Sequence, residues 1–181
     1  MLEINQTALV VIDVQGKIAG LVHDHVRVLE NIRRFIRAAG LFGLPVVLTE
    51  QVPEKIGRTV DAVRELLPDT LDPICKKTCS CYGAAEFVDK IRGLQKLQIL
   101  LIGIETHVCV YQTARDLYHH GYEVHLIADA VSSRQVFDHQ IAVERMRQEG
   151  IIINSMEMAI CELFKTTDHP KFREIIAHIK K

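Results

Sequence analysis

Short runs rich in Val, Ile and Leu alternate along the chain with longer stretches in which apolar residues recur every three or four positions. The runs cover residues 7–14, 45–49, 97–104, 123–128 and 151–154. Near-continuous apolar runs of this length predict parallel strands covered on both faces. A weaker strand is expected at 74–77, ending on the basic pair Lys76-Lys77. Between the runs, Val22, Val26, Leu29, Ile32 and Ile36 form a helical stripe, with Asp24 as its expected N-cap and Gly40 and Gly43 as its breakers. Further helices are expected at 106–120, closed by Gly121, and at 133–148, 155–165 and 170–181; in the last, Phe172, Ile175, Ile176 and Ile179 share a face.

Repeated strand–helix units predict an α/β fold, a doubly wound, mainly parallel six-stranded sheet of order 3-2-1-4-5-6 with helices on both faces. The chain, residues 1–181, reads as one domain without repeats or linkers. In such sheets ligands bind beyond the carboxyl ends of the strands, where the order reverses between the first and fourth.

Composition narrows the function. With 48% hydrophobic and 25% charged residues the chain can bury a full core, and a net charge of −1 offers no basic field for a phosphate backbone. Nucleic-acid binding, including a nuclease activity, is therefore not expected. No apolar run is long enough to span a membrane, and residues 1–6 do not read as a signal peptide. Five cysteines without a pairing pattern suggest reduced thiols and a cytoplasmic protein. There is no dinucleotide fingerprint and no P-loop, so no cofactor is expected.

Two reactive side chains fall at the expected switch point. Asp13 ends the first strand, and Cys109 follows the fourth in Gly103-Ile104-Glu105-Thr106-His107-Val108-Cys109. Lys77 is expected to reach the same edge from the third strand. Taken singly, each has an ordinary structural explanation as a turn residue, a small core residue or a solvated cation; at one cleft they suggest nucleophilic catalysis. With Thr106 as N-cap, Cys109 would lie in the first turn of a helix, where the dipole and a nearby Lys77 favour a thiolate. Asp13 would serve as base, and Glu105 would oppose the thiolate.

At these residues the chain resembles the isochorismatase-like hydrolases. The strings are Val11-Ile12-Asp13-Val14-Gln15, Lys76-Lys77-Thr78-Cys79-Ser80, Gly103 to Val110, Leu48-Thr49-Glu50-Gln51-Val52-Pro53 and Asp129-Ala130-Val131-Ser132-Ser133-Arg134. The resemblance implies a catalytic triad of Asp13, Lys77 and Cys109, a cis peptide between Ile104 and Glu105, and an oxyanion hole from the backbone N–H groups of Glu105 and Cys109. It also implies a homo-oligomer acting on a small molecule, with a carboxamide or related acyl compound cleaved through a thioester. Nicotinamidases of the family carry an Asp/His metal cluster after the second strand; no His stands there in this chain, so no metal is expected. The vinyl-ether-cleaving members lack the cysteine, so Cys109 argues against that reaction. Ser80-Cys81 replaces the Phe-Ser frequent after the triad lysine.

Gln15, Gln51 and Tyr82 are expected to line the substrate site. Cys75, Cys79 and Cys81 read as pocket lining or buried residues, Cys161 as core, and His23, His25, His119 and His120 as solvated or helix-end residues. The alternatives are a catalytically inactive oligomeric scaffold or small-ligand binding protein on the same fold, and a phospho-receiver. The latter lacks the needed acidic pair and an acceptor Asp after the third strand.

Overall fold

The computed structural model describes residues 1–179. Its strands are β1 (Thr7–Ile12), β2 (Val46–Gln51), β3 (Ile74–Lys76), β4 (Gln98–Ile104), β5 (Glu123–Ser132) and β6 (Ile152–Asn154). The helices are α1 (Gly16–Ala19), α2 (His25–Phe42), α3 (Pro53–Ile56), α4 (Asp61–Arg64), α5 (Ala85–Gly93), α6 (Tyr111–His119), α7 (Val136–Gln148), α8 (Met156–Phe164) and α9 (Phe172–Ile179). The strands form one sheet in the order β3-β2-β1-β4-β5-β6, with every pairing parallel, as the apolar runs predict. The helix expected to run to 181 is described to Ile179; Lys180 and Lys181 lie outside the described residues.

Period-two alternation divides the core between the two faces. Leu9 and Val11 of β1 and Leu100 and Ile102 of β4 pack with α2, α8 and α9. Ala8, Val10 and Ile12 of β1 and Ile99 and Leu101 of β4 pack with α5, α6 and α7. β1 and β4 therefore lie at the centre, and whatever projects beyond their carboxyl ends is held by the most buried part of the protein. At that end Gly103 has φ +122, and a Cβ on it would sit 2.1 Å from the carbonyl oxygen of Ile12. Only glycine lets the two strands approach so closely.

Several local expectations are corrected. Asp24 precedes α2 in the left-handed region without capping it; its carboxylate pairs with Arg27 instead. Val26 is exposed, because the buried face of α2 is set by Val28, Asn31, Ile32, Phe35 and Ile36. Gly40 continues the helix, and the chain turns only at Gly43, φ +70. β5 runs on to Ser132 through a register shift opposite Leu101 and Gly103, so Asp129 lies within the strand, where its Oδ1 accepts from Met156 N. Cys161 is exposed, since α8 turns Ala159, Ile160 and Leu163 inward.

Candidate active site

The carboxyl ends of β1, β2 and β4 and the loop after β3 enclose a cleft of about 210 Å³, lined by Asp13, Gln51, Cys79, Glu105 and Cys109 among others. Larger hollows near Thr70 and Leu71, of about 370 and 490 Å³, lie toward the other end of β2 and contain no thiol beside a carboxylate.

Asp13 follows β1 with φ 49, a conformation that Asp tolerates better than most residues. Its side chain is buried. Oδ1 accepts a hydrogen bond from Thr49 Oγ1 at 2.7 Å, and Oδ2 lies 2.6 Å from Lys76 Nζ. Beyond that ion pair, Oδ2 has no hydrogen-bond partner among the described residues.

The lysine at this position is Lys76, not the expected Lys77. β3 ends at Lys76, and alternation turns Ile74 and Lys76 inward while Cys75 faces solvent. The Lys77 side chain is exposed, and only its carbonyl is engaged, accepting from Gln51 Nε2 at 3.0 Å. Lys76 Nζ also donates to Gln51 Oε1 at 2.7 Å and to the carbonyls of Thr78 and Cys79 at 3.2 and 3.1 Å. Burial alone would lower the Lys76 pKa, but the Asp13 carboxylate raises it above the ordinary value, so it stays charged.

Cys109 is carried on a single π-helical turn, Thr106–Val110, that leads from β4 into α6. The expected Thr106 cap is absent: Thr106 lies inside the turn, and its Oγ1 bonds to His139 Nδ1 at 3.0 Å. The peptide between Ile104 and Glu105 is cis. The Glu105 carboxylate accepts from Arg134 N and Nε at 3.0 and 3.1 Å. The Cys109 thiol donates to Gln51 Oε1 at 3.3 Å.

The surroundings of Cys109 run against the thiolate that the helix end and a lysine were expected to favour. Burial pushes the Cys109 thiol up, the Asp13 carboxylate pushes it further, and Lys76 only partly opposes them. Cys81, fully buried behind the ion pair and donating to Thr49 Oγ1 at 3.7 Å, is pushed up to about 11 by burial and by Asp13.

Of the three expected lining residues, Gln51 is in the cleft and two are elsewhere. Gln15 is buried and committed to backbone: Nε2 donates to the carbonyls of Gln51 and Gly57 at 3.1 and 2.5 Å, and Oε1 accepts from Gln51 N at 2.7 Å. It locks the end of β1 to the end of β2. Gln15→Ala is expected to cost about 2 kcal/mol, because it leaves a part-buried N–H and two part-buried carbonyls without their partner. A urea midpoint equal to that of the native chain would contradict this. Tyr82 stacks on His120 with ring centroids 4.0 Å apart, outside the cleft.

Sequence reasoning missed Glu50. It is buried, and its Oε1 accepts from Thr59 N and Oγ1, both at 2.8 Å, while Oε2 takes Arg58 at 3.2 Å. It pins the loop after α3, whose Ile56 closes one side of the cleft. A carboxylate in β2, between Thr49 and Gln51, was the available signal.

Among the described residues, no helix is long and apolar enough to cross a membrane. The isochorismatase domain model matches residues 7–158. Isochorismatase domain-containing protein 2A of Mus musculus is 36% identical over 171 residues, covering 93% of this chain and 80% of its own length. The secreted isochorismatase effector Isc1 of Phytophthora sojae is 37% identical over 183 residues, covering 98% and 86%. Among solved structures, the MAR1 ribonuclease of Caenorhabditis elegans superposes with a TM-score of 0.94 at 34% identity, covering 99% of this chain and 92% of that one. With the sheet order, the cleft and these matches in agreement, the chain belongs to the isochorismatase family and has its hydrolase fold.

Proposed function

We propose that the protein is a cysteine-dependent hydrolase of a small carboxamide or related acyl compound, with Asp13 as base, Cys109 as nucleophile and Lys76 as the group that holds Asp13 ionised and in place. The observation that carries this reading is the buried Asp13–Lys76 ion pair, 2.6 Å across, whose carboxylate lines the same cleft as the Cys109 thiol.

Burial and the Asp13 carboxylate both push the thiol up, so deprotonation accompanies attack. Asp13 Oδ2 takes the Cys109 proton as the sulfur bonds to the carbonyl carbon. The backbone N–H groups of Glu105 and Cys109 receive the oxyanion. As the carbon–nitrogen bond breaks, Asp13 returns the proton to the departing amine, leaving a thioester. A water molecule then gives Asp13 a proton and its oxygen to the acyl carbon, releasing the acid and restoring the thiol. Gln51 bridges the Lys76 ammonium and the thiol, fixing the sulfur's starting position.

The test is a panel of small carboxamides followed by intact mass. Turnover, with an acyl adduct mapped to Cys109 and lost in Cys109→Ala, is the expected result. Equal turnover by Cys109→Ala would overturn the nucleophile. The ribonuclease name of the nematode neighbour brings in phosphodiester cleavage as a second outcome. RNA hydrolysis without any carboxamide turnover would replace the reading, although the net charge of −1 gives it no support. Absence of turnover, adduct and RNA cleavage would favour the inactive scaffold.

A further inference from the structure

Helix α7 is apolar on two sides. Ala142 and Met146 are buried against the sheet, while Val136, Phe137 and Ile141 are 43%, 67% and 49% exposed. Asp138 and Arg145 stand three residues before and four after Ile141, so the three share one face of the helix. Their charged side chains are half-exposed. Arg145 lies over the Tyr111 ring at 4.9 Å and touches Glu149 through Nε at 3.1 Å. Asp138 lies 4.0 Å from His107 Nε2, beyond hydrogen-bond range. Between α7 and the π turn is a hollow of about 220 Å³, lined by His107, Tyr111, Asp138, Ile141, Ala142 and Arg145.

Single exposed apolar residues are ordinary, but a cluster beside an open hollow marks an interaction surface. Here the surface reads acid, apolar, base along the helix. Reversed end to end, that pattern is its own complement. A contact between identical copies about a two-fold axis requires this property, because residue i must meet j while j meets i. An unrelated partner would not require it.

We propose that two copies of the chain pair through antiparallel α7 helices, about a two-fold axis passing between Ile141 and Ala142. Asp138 faces the partner's Arg145, and the reciprocal pair forms on the other side of the axis. Ile141 packs near its equivalent, and the partner's Phe137 is directed to the hollow beside Arg145. The contact covers His107, a residue for which the cleft chemistry has no use.

Charge reversal tests the pairing through sedimentation equilibrium. The native chain, 20.5 kDa, is expected to sediment as a dimer or a multiple of it. Asp138→Arg and Arg145→Asp should each halve the native mass, because each places like charges opposite one another. An equimolar mixture of the two should regain it, because in a mixed pair the two arginines of one chain face the two aspartates of the other. A monomeric native chain, an unchanged mass in either variant, or a mixture that stays light would overturn the proposal. Should a reversal unfold, Phe137→Ser and Ile141→Ser carry the same expectation of halved mass, and native mass in both would overturn it.

Discussion

Replacing Lys76 by methionine is expected to destabilise the fold by about 3–5 kcal/mol, the usual cost of removing one member of a buried ion pair. The neighbouring Lys77→Met should change stability by less than about 0.5 kcal/mol, as surface substitutions do. The contrast follows from burial. Lys76 Nζ sits 2.6 Å from Asp13 and also donates to Gln51 and two carbonyls. Without it, the buried Asp13 carboxylate loses its counter-charge and four acceptors lose a donor. For a chain of this length the loss corresponds to a fall of roughly 10 °C in Tm. Equal melting temperatures for the two variants would contradict the placement of β3. The substitutions therefore also report which lysine the strand turns inward.

Asp13→Asn should reduce turnover of an identified substrate by about 10³-fold, within the range general-base catalysis supplies. Asparagine keeps the shape and an acceptor for Thr49 Oγ1, but cannot take the thiol proton. With Cys109 pushed up by burial, the thiolate is scarce without a base. The assay belongs well below the variant's melting temperature, since the substitution also leaves Lys76 without its counter-charge. A turnover within tenfold of native would remove Asp13 from the proton path.

The sheet was legible because its strands are covered on both sides: five apolar runs and the weaker one at 74–77 mark it without help from side-chain contacts. Asp13, Cys109 and Gln51 could be placed because they lie at or just beyond strand ends, where topology alone brings them together. The lysine required one more step. Ile74 is the inward residue of β3, so parity selects Lys76, and a strand extended by one residue to 77 blurs that choice. Gln15 and Tyr82 show the opposite difficulty. Both follow functional-looking strings, yet one bonds backbone at 2.5–3.1 Å and the other stacks on His120, contacts between segments distant in sequence. The upward push on the thiol was equally hidden. A helix-end argument sees the dipole, but not the burial and the carboxylate that push the thiol up. Glu50 stood in view as a carboxylate in a buried strand, and only the loop it holds, through Thr59 and Arg58, explains it.

The pairing of Asp13 with Cys109 is tested most directly by iodoacetamide alkylation across pH, resolved to individual cysteines by peptide mass, in the native chain and in Asp13→Asn. Cys75, which is exposed, provides an accessible comparison thiol in the same sample. The predicted result is that Cys109 in the native chain alkylates with a midpoint above that of an ordinary thiol, about 8.5. In Asp13→Asn the midpoint moves down, because the carboxylate that raises the thiol is gone while Lys76, which lowers it, remains. A native Cys109 that alkylates as a thiolate at neutral pH, or a profile indifferent to the residue at position 13, would contradict the coupling of base and nucleophile.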